Sequence, residues 1–113
     1  MELTRTAQLA LLLDFYGALL TDRQRDMLRL RVEEDLSLSE IAESCGVSRQ
    51  AVHDALRKAE NTLDDTERKL GAVRRYRALR SDAKRAMDAL DAGDTALARR
   101  ILADMQKEGV YGV

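Results

Sequence analysis

Leu36–Leu56 reads LSLSEIAESCGVSRQAVHDAL, and this stretch decides the fold. Ser37 is followed three residues later by Glu40, the spacing of a capping box at a helix N-terminus. Leu36 before the cap and Ile41 after it have the spacing of a hydrophobic staple. Ile41, Ala42 and Cys45 share one face of the helix that follows and are expected to point inward. Gly46 falls where the chain must reverse, at a position where glycine adopts positive φ without a Cβ penalty. Val47 is placed to plug the turn from below, and Ser48 to cap a second helix. In that helix Val52, Ala55 and Leu56 are expected inward, and Arg49, Gln50, His53, Asp54 and Arg57 outward. Ala42 supplies the small residue that two steeply crossing helices need at their contact. Taken together, these offsets specify a helix-turn-helix.

Composition limits the rest. The chain has 113 residues, no proline, four aromatic residues and a net charge of −1, with 35% of its residues charged. That length and an Ala, Leu, Arg, Asp and Glu-rich composition indicate one all-α domain with a modest core. A near-zero net charge is unlike the basic excess usual in small DNA-binding domains. One cysteine makes an internal disulfide impossible. No apolar run approaches the roughly 20 residues of a membrane span, and Asp14 interrupts the first apolar segment, which also lacks a signal-peptide charge pattern. The expectation is a soluble, cytoplasmic chain with no membrane insertion.

In chain order, Leu3–Leu20 reads as a first helix with Leu9, Leu12, Leu13 and Tyr16 on one stripe. Phe15, Leu19 and Leu20 widen that stripe, which is either plain core or the face of a second subunit. Thr21 and Gln24 form a second capping-box pair ahead of a helix from Asp22 to about Glu33, burying Met27, Leu28, Leu30 and Val32 to varying degree. Glu33, Glu34 and Asp35 then read as a solvated loop, because three consecutive carboxylates do not converge on a metal.

After the turn, Val52, Leu56, Ala59, Leu63, Thr66 and Leu70 alternate steps of four and three, a heptad seam. The recognition helix is therefore expected to reach Leu70 and stop at Gly71, about 30 Å long at 1.5 Å per residue. The first helix, the C-terminal helices or a second chain could cover this seam. A further helix is read from Ala72 to about Asp91, with Val73, Tyr76, Leu79, Ala83, Met87 and Leu90 as its apolar stripe. Gly93 ends it, and Asp94 caps a last helix from Thr95 to about Glu108, buried through Leu97, Ile101, Leu102 and Met105. Gly109 closes that helix, and 110–113 is a tail expected to fray. The plan is residues 1–71, an N-terminal helix plus helix-turn-helix, with 72–113 a helical hairpin packed on it as one structural domain.

Up to Gly71 there are ten Lys/Arg and fourteen Asp/Glu; beyond it there are nine and six. The densest basic cluster is Arg74, Arg75, Arg77 and Arg80, interleaved with Tyr76, and such a guanidinium row can grip phosphates. On the recognition helix, Arg49 and Gln50 occupy the first turn, where a helix-turn-helix places base contacts. His53 and Arg57 continue that face toward phosphates. Asp54 in its midst opposes phosphate binding, although it could pair with Arg57 or Lys58. The bland account of either row is a solvated helix face. Enzyme chemistry is not expected: the single Cys and single His make no nucleophile–base pair, and no phosphate loop, zinc spacing or nucleophile elbow is present. No cofactor or metal is expected.

Leu20–Leu30 (LTDRQRDMLRL) and Glu34–Ala42 (EDLSLSEIA) together resemble the last DNA-binding region of bacterial sigma factors, region 4, which reads the promoter −35 element. Leu11–Thr21 (LLLDFYGALLT) and Ser48–Glu60 (SRQAVHDALRKAE) narrow the likeness, and the chain resembles the YlxM family of small bacterial helical proteins. The likeness is strong over Leu11–Leu70 and beyond that rests on length and helical character. Two departures are His53, where an aromatic residue is common, and Lys58, where arginine is common.

The resemblance implies a link to the signal recognition particle, because family genes lie beside those of its GTPase Ffh and its receptor FtsY. It implies an accessory or regulatory role through the particle's RNA or through Ffh. Three expectations follow. The first is such an accessory protein, binding RNA or Ffh through the basic C-terminal helix and the helix-turn-helix. The second is a dimeric regulator of transcription placing Arg49, Gln50, His53 and Arg57 on duplex DNA. The third is a protein-interaction module without nucleic-acid contact. A homodimer is expected from the surplus apolar surface.

Overall fold

The computed structural model describes residues 3–107. Six α-helices and one 3-10 turn make up their regular structure. The chain divides into two compact units at Leu70/Gly71, and each is described by itself.

In the first unit, α1 is Arg5–Tyr16, capped by the Thr4 hydroxyl, which accepts from the Ala7 amide. It is shorter than the expected Leu3–Leu20. After Tyr16 the chain tightens into a 3-10 turn, Gly17–Leu19, and is extended by Leu20. That extension frees Thr21 to cap α2, Asp22–Val32, through the anticipated capping box with Gln24. Glu33, Glu34 and Asp35 are exposed. Asp35 takes a left-handed φ of 55°, a conformation that aspartate tolerates better than most residues.

A second capping box, Ser37 with Glu40, opens α3, Leu38–Cys45. Gly46 reverses the chain at φ 67°. The Val47 amide then reaches back to the Ala42 carbonyl at 3.0 Å, the bond that closes a left-handed helix cap. The Ser48 hydroxyl accepts from the Ala51 amide, and α4 runs unbroken over Arg49–Leu70.

α4 is the spine of this unit and contacts α1, α2 and α3. Val52, Leu56, Ala59 and Leu63 of its seam are buried among Leu12, Met27, Leu28, Ile41 and Ala42. Of the three candidate covers for the seam, α1 fills the role within the unit. The Tyr16 hydroxyl donates to Glu67 Oε1 at 2.8 Å, and Arg5 donates to Asp64 at 2.8 Å and to Glu60 at 3.4 Å. Thr66 is half-buried, its hydroxyl donating to the Thr62 carbonyl, and Leu70 is exposed.

Cys45 departs from expectation: it is exposed. Ile41 and Ala42 already make the crossing contact. The chain leaves the helix directly after Cys45, and half-buried Val47 occupies the space under the turn instead.

In the second unit, α5 (Ala72–Asp91) and α6 (Thr95–Met105) form a helical hairpin. Gly71, at φ 66°, precedes α5, and Asp94 caps α6 by accepting from the Leu97 amide. α6 ends three residues before the expected Glu108; Glu108, Gly109 and the tail lie outside the described residues.

The inward face of α5 also differs from expectation. Val73 is buried and Tyr76 half-buried, but Leu79, Ala83, Met87 and Leu90 are exposed. Buried instead are Ala86 and Ala89, with Ala98 and Ile101 of α6. The short Ala92–Gly93–Asp94 link holds the helices close, and alanines permit the closest approach of their axes. The same register leaves Leu102 exposed rather than buried, while Leu97 and Met105 are half-buried.

Candidate nucleic-acid interface

The positions of the outward side chains on α4 follow from the bend at Gly46. Because Val52 and Leu56 are buried, the intervening positions are turned to solvent: Arg49, Gln50, His53, Asp54, Arg57 and Lys58 are all exposed. Arg49, His53 and Arg57 lie at four-residue steps on one side of the helix. They span about 12 Å at 1.5 Å per residue. Arg49, Arg57 and Lys58 have no hydrogen-bond or ion-pair partner among the described residues, so their charges are available.

Asp54 is held within the row. Its Oδ1 accepts from Gln50 Nε2 at 2.9 Å and lies 3.4 Å from His53 Nδ1. Sequence reasoning allowed Asp54 to pair with Arg57 or Lys58; the observed partners are Gln50 and His53. The difference matters chemically. Asp54 takes one of the two N–H donors of the Gln50 amide and fixes its position beside a carboxylate, leaving the second N–H and the carbonyl.

Arg57 and His53 also line a cleft of about 460 Å³ between α4 and the ends of α1, α2 and α3. Arg5, Arg31, Glu60 and Asp64 contribute to its walls, with Leu9, Val32, Leu38 and Leu56 beneath. Arg5 is neutralised there by its two carboxylates, and the Asp64 hydrogen bond is the main reason its guanidinium holds its proton still more tightly than usual. Arg31 donates Nη1 to the Leu36 carbonyl at 2.8 Å, a neutral partner that leaves its charge uncancelled. Sequence reading missed Arg31. Its position in the last turn of α2, two residues before the acidic loop, was the available signal.

In the second unit the Arg74, Arg75, Arg77 and Arg80 row is less uniform than its spacing suggests. Arg80 donates to the Tyr76 hydroxyl at 2.9 Å and lies 5.7 Å from the centre of its ring. That hydroxyl is also what raises the Arg80 pKa. Arg74 is exposed but folds back along the helix: a Cβ on Gly71 would stand 2.8 Å from its Nη2. Arg75 is half-buried. Arg77 is exposed with no hydrogen-bond or ion-pair partner among the described residues. The predicted residues thus form two rows, one on each unit. Among the described residues no group of His, Cys, Asp and Glu is arranged to hold a metal ion, and no helix is long and apolar enough to cross a membrane.

Two capped helices crossing at a left-handed glycine, the second offering a polar face, define a helix-turn-helix protein. The family model for helix-turn-helix proteins described as YlxM / p13 like, UPF0122, matches residues 3–100, and the chain belongs to that family. A UPF0122 protein of Symbiobacterium thermophilum is 45% identical over 101 residues, covering 89% of this chain and 94% of that protein. One from Desulforamulus reducens is 56% identical over 66 residues, covering 58% of this chain and 56% of the relative. One from Streptococcus gordonii is 49% identical over 70 residues, covering 62% and 64%. Similarity therefore reaches most of the length of the first relative but only a little over half that of the second.

Proposed function

We propose that this chain is a non-catalytic accessory protein of the signal recognition particle pathway. In this reading the arginine row of α4 holds phosphates of the particle's RNA, and the GTPase Ffh is the associated protein partner. The observation that carries it is the solvent-facing run Arg49, His53, Arg57, whose two guanidiniums have no carboxylate partner among the described residues. Arg31 at the edge of the adjoining cleft, and Arg77 on α5, add to the same chemistry. The resemblance to the YlxM family supplies the pathway.

RNA fits this surface better than duplex DNA. A-form RNA is held through shape, sugar and phosphate contacts rather than major-groove edges, and phosphate contacts need only exposed guanidiniums. A near-neutral chain is also better matched to a limited phosphate contact combined with a protein partner than to general DNA binding.

A binding titration with particle RNA, random-sequence duplex DNA and purified Ffh tests the proposal. About four phosphate contacts correspond to roughly a hundredfold loss of affinity between about 50 and 200 mM salt. RNA binding with such salt sensitivity, weakened at least tenfold by Arg49→Ala/Arg57→Ala, is the expected result. Preference for a particular duplex DNA sequence over the RNA would overturn it in favour of a transcriptional role. Ffh binding with no nucleic-acid binding would leave a protein-interaction module.

A further inference from the structure

α5 carries two apolar faces, and the hairpin uses one. Ala86 and Ala89 are buried in the hairpin with α6. The neighbouring stripe of Leu79, Ala83, Met87 and Leu90 steps by four, four and three residues and faces solvent. Leu79 is 44% exposed, Met87 58% and Leu90 47%. A row of this length on one helix is more than scattered surface leucines and marks a surface for association.

Charges beside the stripe identify what covers it. On the flank away from Ala86 and Ala89, the order along the helix is Arg77, Arg80, Lys84, Asp88, Asp91. This flank is basic at its start and acidic at its end. Such a pattern is complementary to itself when reversed. In an antiparallel pair centred near Lys84, Arg77 and Arg80 of one copy lie beside Asp91 and Asp88 of the other. In the same register Leu79, Ala83, Met87 and Leu90 of the two copies interleave along the seam. The two Ala83 side chains fall near the centre, where a small residue lets the helices approach. A parallel pair would instead set this flank against the opposite side of the partner's stripe, the side of the buried Ala86 and Ala89, and would lose these matches; flanking charges of this kind determine helix orientation. Arg77 and Asp91 have no ion-pair or hydrogen-bond partner among the described residues, so each can take one across the pair.

We infer that α5 is a self-association surface on which a second copy of this chain docks antiparallel through Leu79, Ala83, Met87 and Leu90. The inference rests on α5 alone and stands apart from the RNA reading. A guanidinium has five N–H donors, so an arginine at the rim of the pair that meets a carboxylate still has donors for a phosphate.

Sedimentation equilibrium of the full chain from about 1 to about 100 µM, the range suited to a small interface, is the test. The expected result is a monomer–dimer equilibrium weakened at least tenfold by Leu79→Glu and by Met87→Glu. Both side chains are exposed, so helicity measured by circular dichroism should be unchanged. Arg77→Glu alone and Asp91→Arg alone should each weaken the dimer, and the double variant should recover most of the loss. A monomer throughout the range, including one that pairs only with Ffh, would overturn the inference. So would a dimer indifferent to both stripe variants, or a double variant weaker than either single one.

Discussion

The helix-turn-helix unit and the C-terminal hairpin are built from similar residues but bury them differently. In the first unit a core of large side chains closes: Leu12, Met27, Leu28, Ile41, Val52 and Leu63 are almost completely buried, while Leu3, Phe15, Leu19 and Leu70 lie at its surface. Four helices surround one another there, so the α4 seam is covered, whereas Phe15 and Leu19, expected to widen the first apolar stripe, stay exposed. In the second unit two helices meet through alanines, and Leu79, Met87, Leu90 and Leu102 remain outside. Two helices cannot enclose a core of large side chains, because each covers only one face of the other. The difference lies between a unit that encloses a core of large side chains and a helix pair that meets mainly through alanines.

The largest effects should sharpen that contrast. Ile41→Ala or Leu63→Ala removes a fully buried side chain and is expected to cost about 2–5 kcal/mol. Leu90→Ala, at an exposed position, is expected to stay within about 0.5 kcal/mol at concentrations where the chain is monomeric. Chemical denaturation of the three variants measures both. Comparable losses would show that the two units do not differ in this way.

Gly46→Ala should come next, at about 1–2 kcal/mol, because φ 67° is a left-handed conformation that costs an L side chain about that much. Nothing stands within 4 Å of a Cβ there, so the loss should be conformational rather than steric. Ser37→Ala should cost about 1 kcal/mol by removing the hydroxyl that caps α3. Thermal unfolding reports both substitutions.

The smallest effect is electrostatic. The Ser37 backbone N–H, and then its hydroxyl, hold the Glu40 carboxyl below the ordinary carboxylate range. A depressed folded-state pKa means that the capping contribution is present above the ordinary value and lost as pH falls through the folded one. Between about pH 5 and pH 3, Glu40→Gln should therefore lose less stability than the unaltered chain. Equal loss would show that Glu40 does not titrate as part of the cap.

The same comparison explains how much could be read from sequence. Thr21/Gln24, Ser37/Glu40, Gly46, Ser48, Gly71 and Asp94 each encode a helix boundary by local chemistry, and these boundaries are where they were expected. The buried seam of α4 was legible because large residues at heptad spacing have few alternatives. In α5 periodicity left two answers, since Ala86 and Ala89 lie beside a stripe of larger residues and only the turn to α6 chooses between them. Cys45 failed for a related reason: helical phase places it inward, but the chain departs before that phase applies. At the candidate interface the exposure of Arg49, Gln50, His53 and Arg57 followed from burial of Val52 and Leu56. The Gln50–Asp54–His53 cluster and the place of Arg31 depended on rotamers and loop path, which sequence spacing does not specify.

In the proposed function, the bend at Gly46 presents Arg49 and Arg57 to the phosphates of an RNA partner. Fluorescence anisotropy with labelled signal recognition particle RNA, comparing the full chain with Arg49→Ala/Arg57→Ala across a salt series, tests it most directly. The expected result is at least tenfold weaker binding and a log–log salt slope reduced by about two, one for each phosphate contact removed. Unchanged affinity and slope in the double variant would contradict the claim.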